Sequence, residues 1–374
     1  MSRPRVRDAG ISVGRMEPGL HNAITDVDGV RVGHATMISG EGPLRPGTGP
    51  VRTGVTVILP HEHSLFRHKV RAAVHTINGF GKVFGFEQVR ELGVIESPIA
   101  LTNTLNVGLV ADALIGHAIE RDPDIGISTG GTVNVVVGET NDGYLNDIQG
   151  RHVRAGQVQA AIASASAGPV VEGSVGAGTG TICFGWKGGI GTASRVLPKA
   201  GEGYTVGALV QSNFGRPGDL VVCGAPVGRE IKPPRRRLPR RDRQVAGEKE
   251  GSIMIVLATD APLDSRQLGR LCVRVGAGLA RTGSYYGHGS GDFVIAVSTA
   301  HRVAHSPAAL ETMQPAVADE AKAMYGLFPA VAECVEEAVL NSLFRAETMT
   351  GRDGNTIQAL PVERVVAMCK DTQP

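Results

Sequence analysis

Several scarcities narrow what this chain can be. Only 4% of its 374 residues are aromatic. Its five cysteines, Cys183, Cys223, Cys272, Cys334 and Cys369, are odd in number and form no CxxC pair. That speaks against a disulfide framework and for scattered, reduced thiols, so a cytoplasmic location is expected. No uninterrupted apolar run reaches membrane-spanning length, so no membrane partner is expected. The Met1–Asp8 segment has no apolar h-region, so no signal peptide is expected. Charge is nearly balanced, with 38 basic and 36 acidic residues and a net charge of +2. The small basic excess is concentrated in 232–243, where no aromatic residue offers a base-stacking platform. A solvated linker is therefore expected there, and no nucleic-acid partner.

What is present suits a soluble globular protein with a sizeable core: 42% hydrophobic and 20% charged residues. The length allows one large domain or two. Fifty-one glycines, about twice the usual share, imply many tight turns and close backbone approaches. The glycine-rich stretch 173–191 completes neither GxGxxG nor GxxxxGK[ST]. It reads as a structural loop beside a site, with no nucleotide or other cofactor.

The stretch from Pro233 to Asp260 organises the rest. Prolines and arginines, then Gln244 to Glu250, form a polar segment that cannot be buried and should be an exposed loop. Within two residues the character changes. Gly251-Ser252 leads into Ile253-Met254-Ile255-Val256-Leu257-Ala258, an apolar run of core-strand type. This arrangement suits an N-terminal nucleophile. A serine hydroxyl needs an adjacent base. If the bond before Ser252 breaks, the new α-amine lies on the same residue, and its pKa of about 7.7–8 lets it act as that base near neutrality. Gly251 removes side-chain bulk on the acyl side.

The run Gly251-Ser252-Ile253-Met254-Ile255-Val256-Leu257-Ala258-Thr259-Asp260 resembles the processing site of the DmpA-type family, the L-aminopeptidase/D-esterases and β-peptidyl aminopeptidases. The resemblance extends through Asn22–Val30, Gly54–Pro60, Gly189–Arg195, Val210–Asn213, Ser290–Asp292 and Thr348–Gly354. Each string is weak alone, but together, in order, they are strong. The resemblance implies a four-layer α/β/β/α sandwich, shared with ornithine acetyltransferases, and a homotetramer of cleaved protomers. It implies one domain, 1–374, made of two autoproteolytic fragments, 1–251 and 252–374. It also implies a self-cleaving aminopeptidase acting on small peptides, amides or esters. Two alternatives stay open: an endo-acting oligoamide hydrolase and an ornithine-acetyltransferase-like acyltransferase. The latter family usually starts its second fragment with Thr, where this chain has Ser252.

The resemblance also assigns roles. Gly251 and Ser252 form the cleavage site, and Ser252 is the nucleophile. Asn213 donates to the oxyanion. Ser290 and Asp292 orient the nucleophile and its amine. Glu139 reads the substrate amino end, with Asn141 and Tyr144 in the same loop. Relatives can carry a tyrosine where Asn141 stands, which leaves the second oxyanion donor open. No metal is expected. His61-Glu62-His63 lacks an evident third ligand and reads as surface polar residues after a strand.

Element expectations follow from pattern. Residues 21–37 read as two strands around an Asp28-Gly29 turn. Strands are expected at Val55–Leu59, Pro98–Thr102, Thr132–Val137, Thr205–Gln211, Leu220–Val222, from Ser252, and at Phe293–Val297. Glu139 then falls in a polar loop after a strand, and Asn213 just beyond one. Helices are expected at Val107–Arg121, at Gln157–Ala167 and from an Asp264 N-cap to near Gly283. The tail Pro307–Ala346 reads as helical with breaks at Pro315 and Pro329.

Overall fold

The computed structural model describes residues 3–127, 131–198, 203–234 and 251–372. Most of the proline-arginine stretch expected to be an exposed loop, 235–250, lies outside the described residues.

In chain order the strands are β1 (Arg31–Ser39), β2 (Val51–Leu59), β3 (His68–Gly79), β4 (Val94–Ile95), β5 (Ile99–Asn103) and β6 (Val136–Thr140). They continue as β7 (Ile182–Cys183), β8 (Trp186–Lys187), β9 (Ile190–Val196), β10 (Thr205–Asn213), β11 (Ser252–Thr259), β12 (Gly291–Ala304), β13 (Met349–Thr350) and β14 (Thr356–Ile357). The α-helices are α1 (Phe86–Leu92), α2 (Val107–Arg121), α3 (Ala155–Ala163), α4 (Val227–Glu230), α5 (Ser265–Arg281), α6 (Glu320–Arg345) and α7 (Val362–Thr372).

Two sheets form the middle layers: β1-β2-β5-β6 and β4-β3-β12-β11-β10-β9. Alternation along β11 shows why they stack. Ile253, Ile255 and Leu257 join the core beneath α5 and α6, while Met254, Val256 and Ala258 join Ile58, Leu101 and Val136 between the sheets. On the far side of the first sheet, Val55, Val57 and Ala100 pack with Val110, Leu114 and Val158 of α2 and α3. The order is helices, sheet, sheet, helices: the four-layer α/β/β/α sandwich. Apolar faces on both sides of β11 explain its uninterrupted hydrophobic run. Fully buried Arg195 pins α6 to β9 through Glu333 at 2.9 Å and Glu337 at 2.6 Å.

Helix α2 has the expected bounds, and α5 is capped by Asp264, which accepts from Gln267 N–H at 2.7 Å. Other expectations need correction. Asp26 accepts from His21 and Ala23 N–H at 2.9 and 3.0 Å, winding 24–26 into a 3-10 turn, so a single strand follows Asp28-Gly29. Asn134 N–H goes to Glu96 at 2.7 Å instead of a ladder, and β6 starts only at Val136, beside Ile99. Glu139 is therefore a strand residue. Asn213 is the last residue of β10 and does not lie beyond it. Leu220–Val222 makes only a bridge from Val222 to Ala225. Helix α3 ends at Ala163, and α6 runs through Pro329. The buried α6 face against β9, β10 and α5 outweighs the ~3 kcal/mol an interior proline costs. His61 is buried, with Nε2 2.7 Å from His68 O, and is not a surface residue. Among the described residues, no helix is long and apolar enough to cross a membrane.

Candidate active site

Three neighbouring strand ends meet at Ser252. In the antiparallel pair of β10 and β11, Asn213 lies directly opposite Ser252, and in the parallel pair of β11 and β12, Ser252 lies beside Gly291. Ser252 shares the face of Met254, so alternation turns its side chain toward the space between the sheets. Across that space β6 gives way to β11: a Cβ on Gly138 would fall 2.2 Å from the Met254 methyl. The next residue of β6 is Glu139. Ser252 is only 7% exposed.

The Gly251–Ser252 bond is tightly held. Gly291 N–H lies 3.3 Å from Ser252 Oγ and also 3.3 Å from the carbonyl oxygen of Gly251. A Cβ on residue 251 would come within 1.5 Å of Asn213 O, so only glycine fits. Gly251 is not among the positive-φ glycines. Space, more than conformational freedom, requires it.

Asn213 Oδ1 accepts from Ile182 N–H at 2.9 Å. A backbone N–H can only donate, so the atom facing it must be oxygen, and the NH₂ is left as the donor end. Ser290 donates its hydroxyl to Asp292 Oδ1 at 2.6 Å, with both residues buried. That donation leaves the Ser290 lone pairs free to accept from an amine.

Glu139 is buried. Its Oε1 accepts from Lys82 N–H at 2.9 Å, and its Oε2 accepts from the Thr104 hydroxyl. Burial pushes its carboxyl above the ordinary glutamate range, against the pull of the Thr104 and Lys82 hydrogen bonds and the Lys82 charge. A Cβ on Gly81 would lie 3.2 Å from Glu139 Oε1 and 3.3 Å from Gly291 Cα, so Glu139 lies near the Ser252 end of β12.

Asn141 is not drawn in. It is exposed, and its Oδ1 accepts from Gly143 N–H at 2.9 Å, as turn asparagines do. Tyr144 is half-buried and packs with Leu145, Ile182 and Ile357. It therefore backs Ile182, the residue that fixes Asn213.

Sequence reasoning missed Ile182, Thr104 and Lys82, which contribute mostly through backbone groups or a single hydroxyl and leave no motif. It placed Lys187 in the glycine-rich loop without a role and gave none to Asp142. Lys187 is fully buried and donates to Gly178 O at 3.0 Å and Gly188 O at 2.8 Å. Burial pushes its ammonium down to about 7, against the attraction of Asp142. Asp142, equally buried, is pushed up to about 7 despite hydrogen bonds from Thr53, Asn146 and Asn103. A buried lysine in a glycine-rich run was the available signal.

The profile of Peptidase family S58 matches residues 22–357. The chain belongs to peptidase family S58. It is an N-terminal-nucleophile aminopeptidase. The β-peptidyl aminopeptidase BapA of Sphingosinicella microcystinivorans is 43% identical, over 98% of this chain and 92% of its own length. Among solved structures, a Burkholderia β-aminopeptidase superposes with a TM-score of 0.88 at 41% identity, covering 99% of this chain and 100% of its own. The L-aminopeptidase D-Ala-esterase/amidase of Ochrobactrum anthropi, described as a variant of the Ntn hydrolase fold, has a TM-score of 0.86 at 39% identity, with 99% of each chain covered. These S58 likenesses extend over almost the whole chain, including both sides of Gly251.

Proposed function

We propose that this S58 chain cuts itself between Gly251 and Ser252, and that the freed Ser252 removes N-terminal residues from small peptides, amides or esters. The observation that carries this is the placement of the Gly251–Ser252 bond at three converging strand ends, with Gly291 N–H near both the attacking oxygen and the carbonyl it would attack. Ser252 Oγ adds to the Gly251 carbonyl, the C–N bond to Ser252 breaks, and its nitrogen takes the hydroxyl proton as the α-amine. Water then hydrolyses the resulting ester to leave a carboxylate on Gly251 and the free Ser252 hydroxyl. The products remain one domain in two fragments, because β10 and β11, from either side of the cut, are neighbours in one sheet.

In turnover the α-amine takes the hydroxyl proton as Oγ attacks the substrate carbonyl, and returns it to the leaving amine or alcohol as the scissile bond breaks. Water then hydrolyses the acyl ester to free Ser252. The Asn213 NH₂ stabilises the oxyanion, with Gly291 N–H as second donor. Ser290 and Asp292 hold the amine. Glu139 receives the substrate ammonium, which favours exo-acting aminopeptidase action over an endo-acting oligoamide hydrolase. The β-peptidyl relatives support amino-terminal β-residues among the substrates.

The working unit in this reading is a homotetramer. Fully exposed Leu310 and Met313, before α6, and exposed Tyr325 on α6 support burial against further copies. Unbridged cysteines support a cytoplasmic location. The test is purified protein against aminoacyl p-nitroanilides, including β-alanyl, L-alanyl and D-alanyl forms, beside Ser252→Ala. Release of p-nitroaniline by wild type alone is expected, and equal release by Ser252→Ala would remove the proposal.

A further inference from the structure

Strands β3 and β12 run antiparallel with a slip in register close to the site. Asp292 faces Asn78, yet Phe293 faces Thr76. Ile77 is the extra residue, a bulge. Bulges beside active sites re-aim the side chains that follow them.

Asn78 comes next. Its Nδ2 lies 2.8 Å from Gly287 O, 3.3 Å from His288 O and 2.6 Å from Ser290 O. Two N–H groups thus gather three carbonyls of the turn that leads into Ser290 and Asp292. Phe80 N–H adds a bond to Ser290 O at 3.3 Å. Two residues further on, Lys82 N–H holds Glu139 Oε1 at 2.9 Å. Between them, a Cβ on Gly81 would be 2.8 Å from the Phe293 ring. There is no room for this segment to bow inward.

We propose that Asn78 is a positioning residue for the nucleophile. In this view the segment Asn78–Lys82 is a clasp that sets the spacing between the Ser290–Asp292 pair and the Glu139 amine reader. This rests on the roles proposed above for Ser252, Ser290, Asp292 and Glu139. Asn78 acts through the 287–290 turn and not on substrate. It governs the chemical step, while amine binding, held by Lys82 N–H at the other end, stays with Glu139. The spacing that the clasp fixes is the distance from substrate ammonium to scissile carbonyl.

The test uses full-length Asn78→Asp, Asn78→Ala and Asn78→Gln. Rates are expressed per cleaved protomer, with melting temperature recorded beside them. Aspartate keeps the shape of asparagine but replaces the donor NH₂ with an acceptor that faces three carbonyl oxygens. Misplacement of a reacting group by about 1 Å costs on the order of 100-fold. For Asn78→Asp and Asn78→Ala, kcat on the best aminoacyl p-nitroanilide should fall about tenfold to 100-fold, with KM for the free amine within about twofold. Asn78→Gln, which keeps an amide donor, should recover part of kcat. Wild-type kcat in Asn78→Asp would overturn the clasp, as would a kcat loss in all three variants that follows only their melting temperatures. A wild type with neither self-cleavage nor aminoacyl turnover would instead remove the underlying functional reading, and the clasp with it.

Discussion

Asn213 and Ser252 face each other across β10 and β11, and Ile182 N–H takes the amide oxygen of Asn213 at 2.9 Å. The arrangement turns a strand-end asparagine into a fixed donor beside the nucleophile. Replacing it by aspartate keeps the acceptor for Ile182 and puts an acceptor oxygen, which repels an oxyanion, where the NH₂ stood. Losing one oxyanion donor typically costs about 10²–10³ in kcat. Asn213→Asp should therefore lose at least that factor, with KM little changed, in steady-state assays on an aminoacyl p-nitroanilide. A kcat within twofold of wild type would remove Asn213 from the chemistry.

Glu139 should make the enzyme dependent on a free substrate amine. Leaving an ammonium unpaired in a buried site costs about 3–5 kcal/mol, or at least 100-fold in affinity. N-acetylation of the substrate should abolish most wild-type turnover. Glu139→Gln should lose mainly kcat/KM for the free amine while still cutting itself. Equal turnover of free and acetylated substrates by wild type would promote the endo-acting alternative.

Acidity should act at two points. Burial raises the Glu139 carboxyl, so its proton is retained to a higher pH than on an ordinary glutamate. The carboxylate is the form that binds an ammonium, so kcat/KM should fall on acidification at a pH above the usual range of about 4.3, and Glu139→Gln should lack that limb. The Ser252 α-amine is a base only when unprotonated, so kcat should rise with pH, with a midpoint within about a unit of 7.7–8. A pH-independent kcat with chemistry rate-limiting would point to another base.

Lys187 and Asp142 should be energetically coupled. Lys187→Met strands the carbonyls of Gly178 and Gly188 and removes an ammonium that the Asp142 charge attracts. Leaving buried acceptors unpaired in this way costs about 1–3 kcal/mol. Adding Asp142→Asn should return part of that loss, with a coupling of about 0.5–3 kcal/mol in denaturant unfolding. Strictly additive losses would show that the two charges do not sense each other.

The parts of this molecule legible in the sequence are those that depend on one-dimensional pattern. The apolar run after Ser252 announced β11 because that strand is buried on both faces, and Asp264 announced α5 because an N-cap acts within one turn. Strand limits set by distant partners were not legible. Asn134 leaves the ladder for Glu96, and only the pairing with Ile99 shows where β6 begins, which moved Glu139 from loop to strand. Site residues with reactive side chains stood out through family strings. Ile182 and Lys82 contribute a backbone N–H that any residue carries, and Asn78 acts through a bulge that only the β3–β12 register reveals.

Every role proposed for Ser252 depends on the cut at Gly251–Ser252. Intact-mass measurement of the denatured 39.0 kDa product, with sequencing of its new amino terminus, tests it most directly. Wild type should yield fragments 1–251 and 252–374, the second beginning with Ser252, while Ser252→Ala should stay one chain without activity. A wild-type chain that remains uncut and yet turns over aminoacyl substrates would contradict the account.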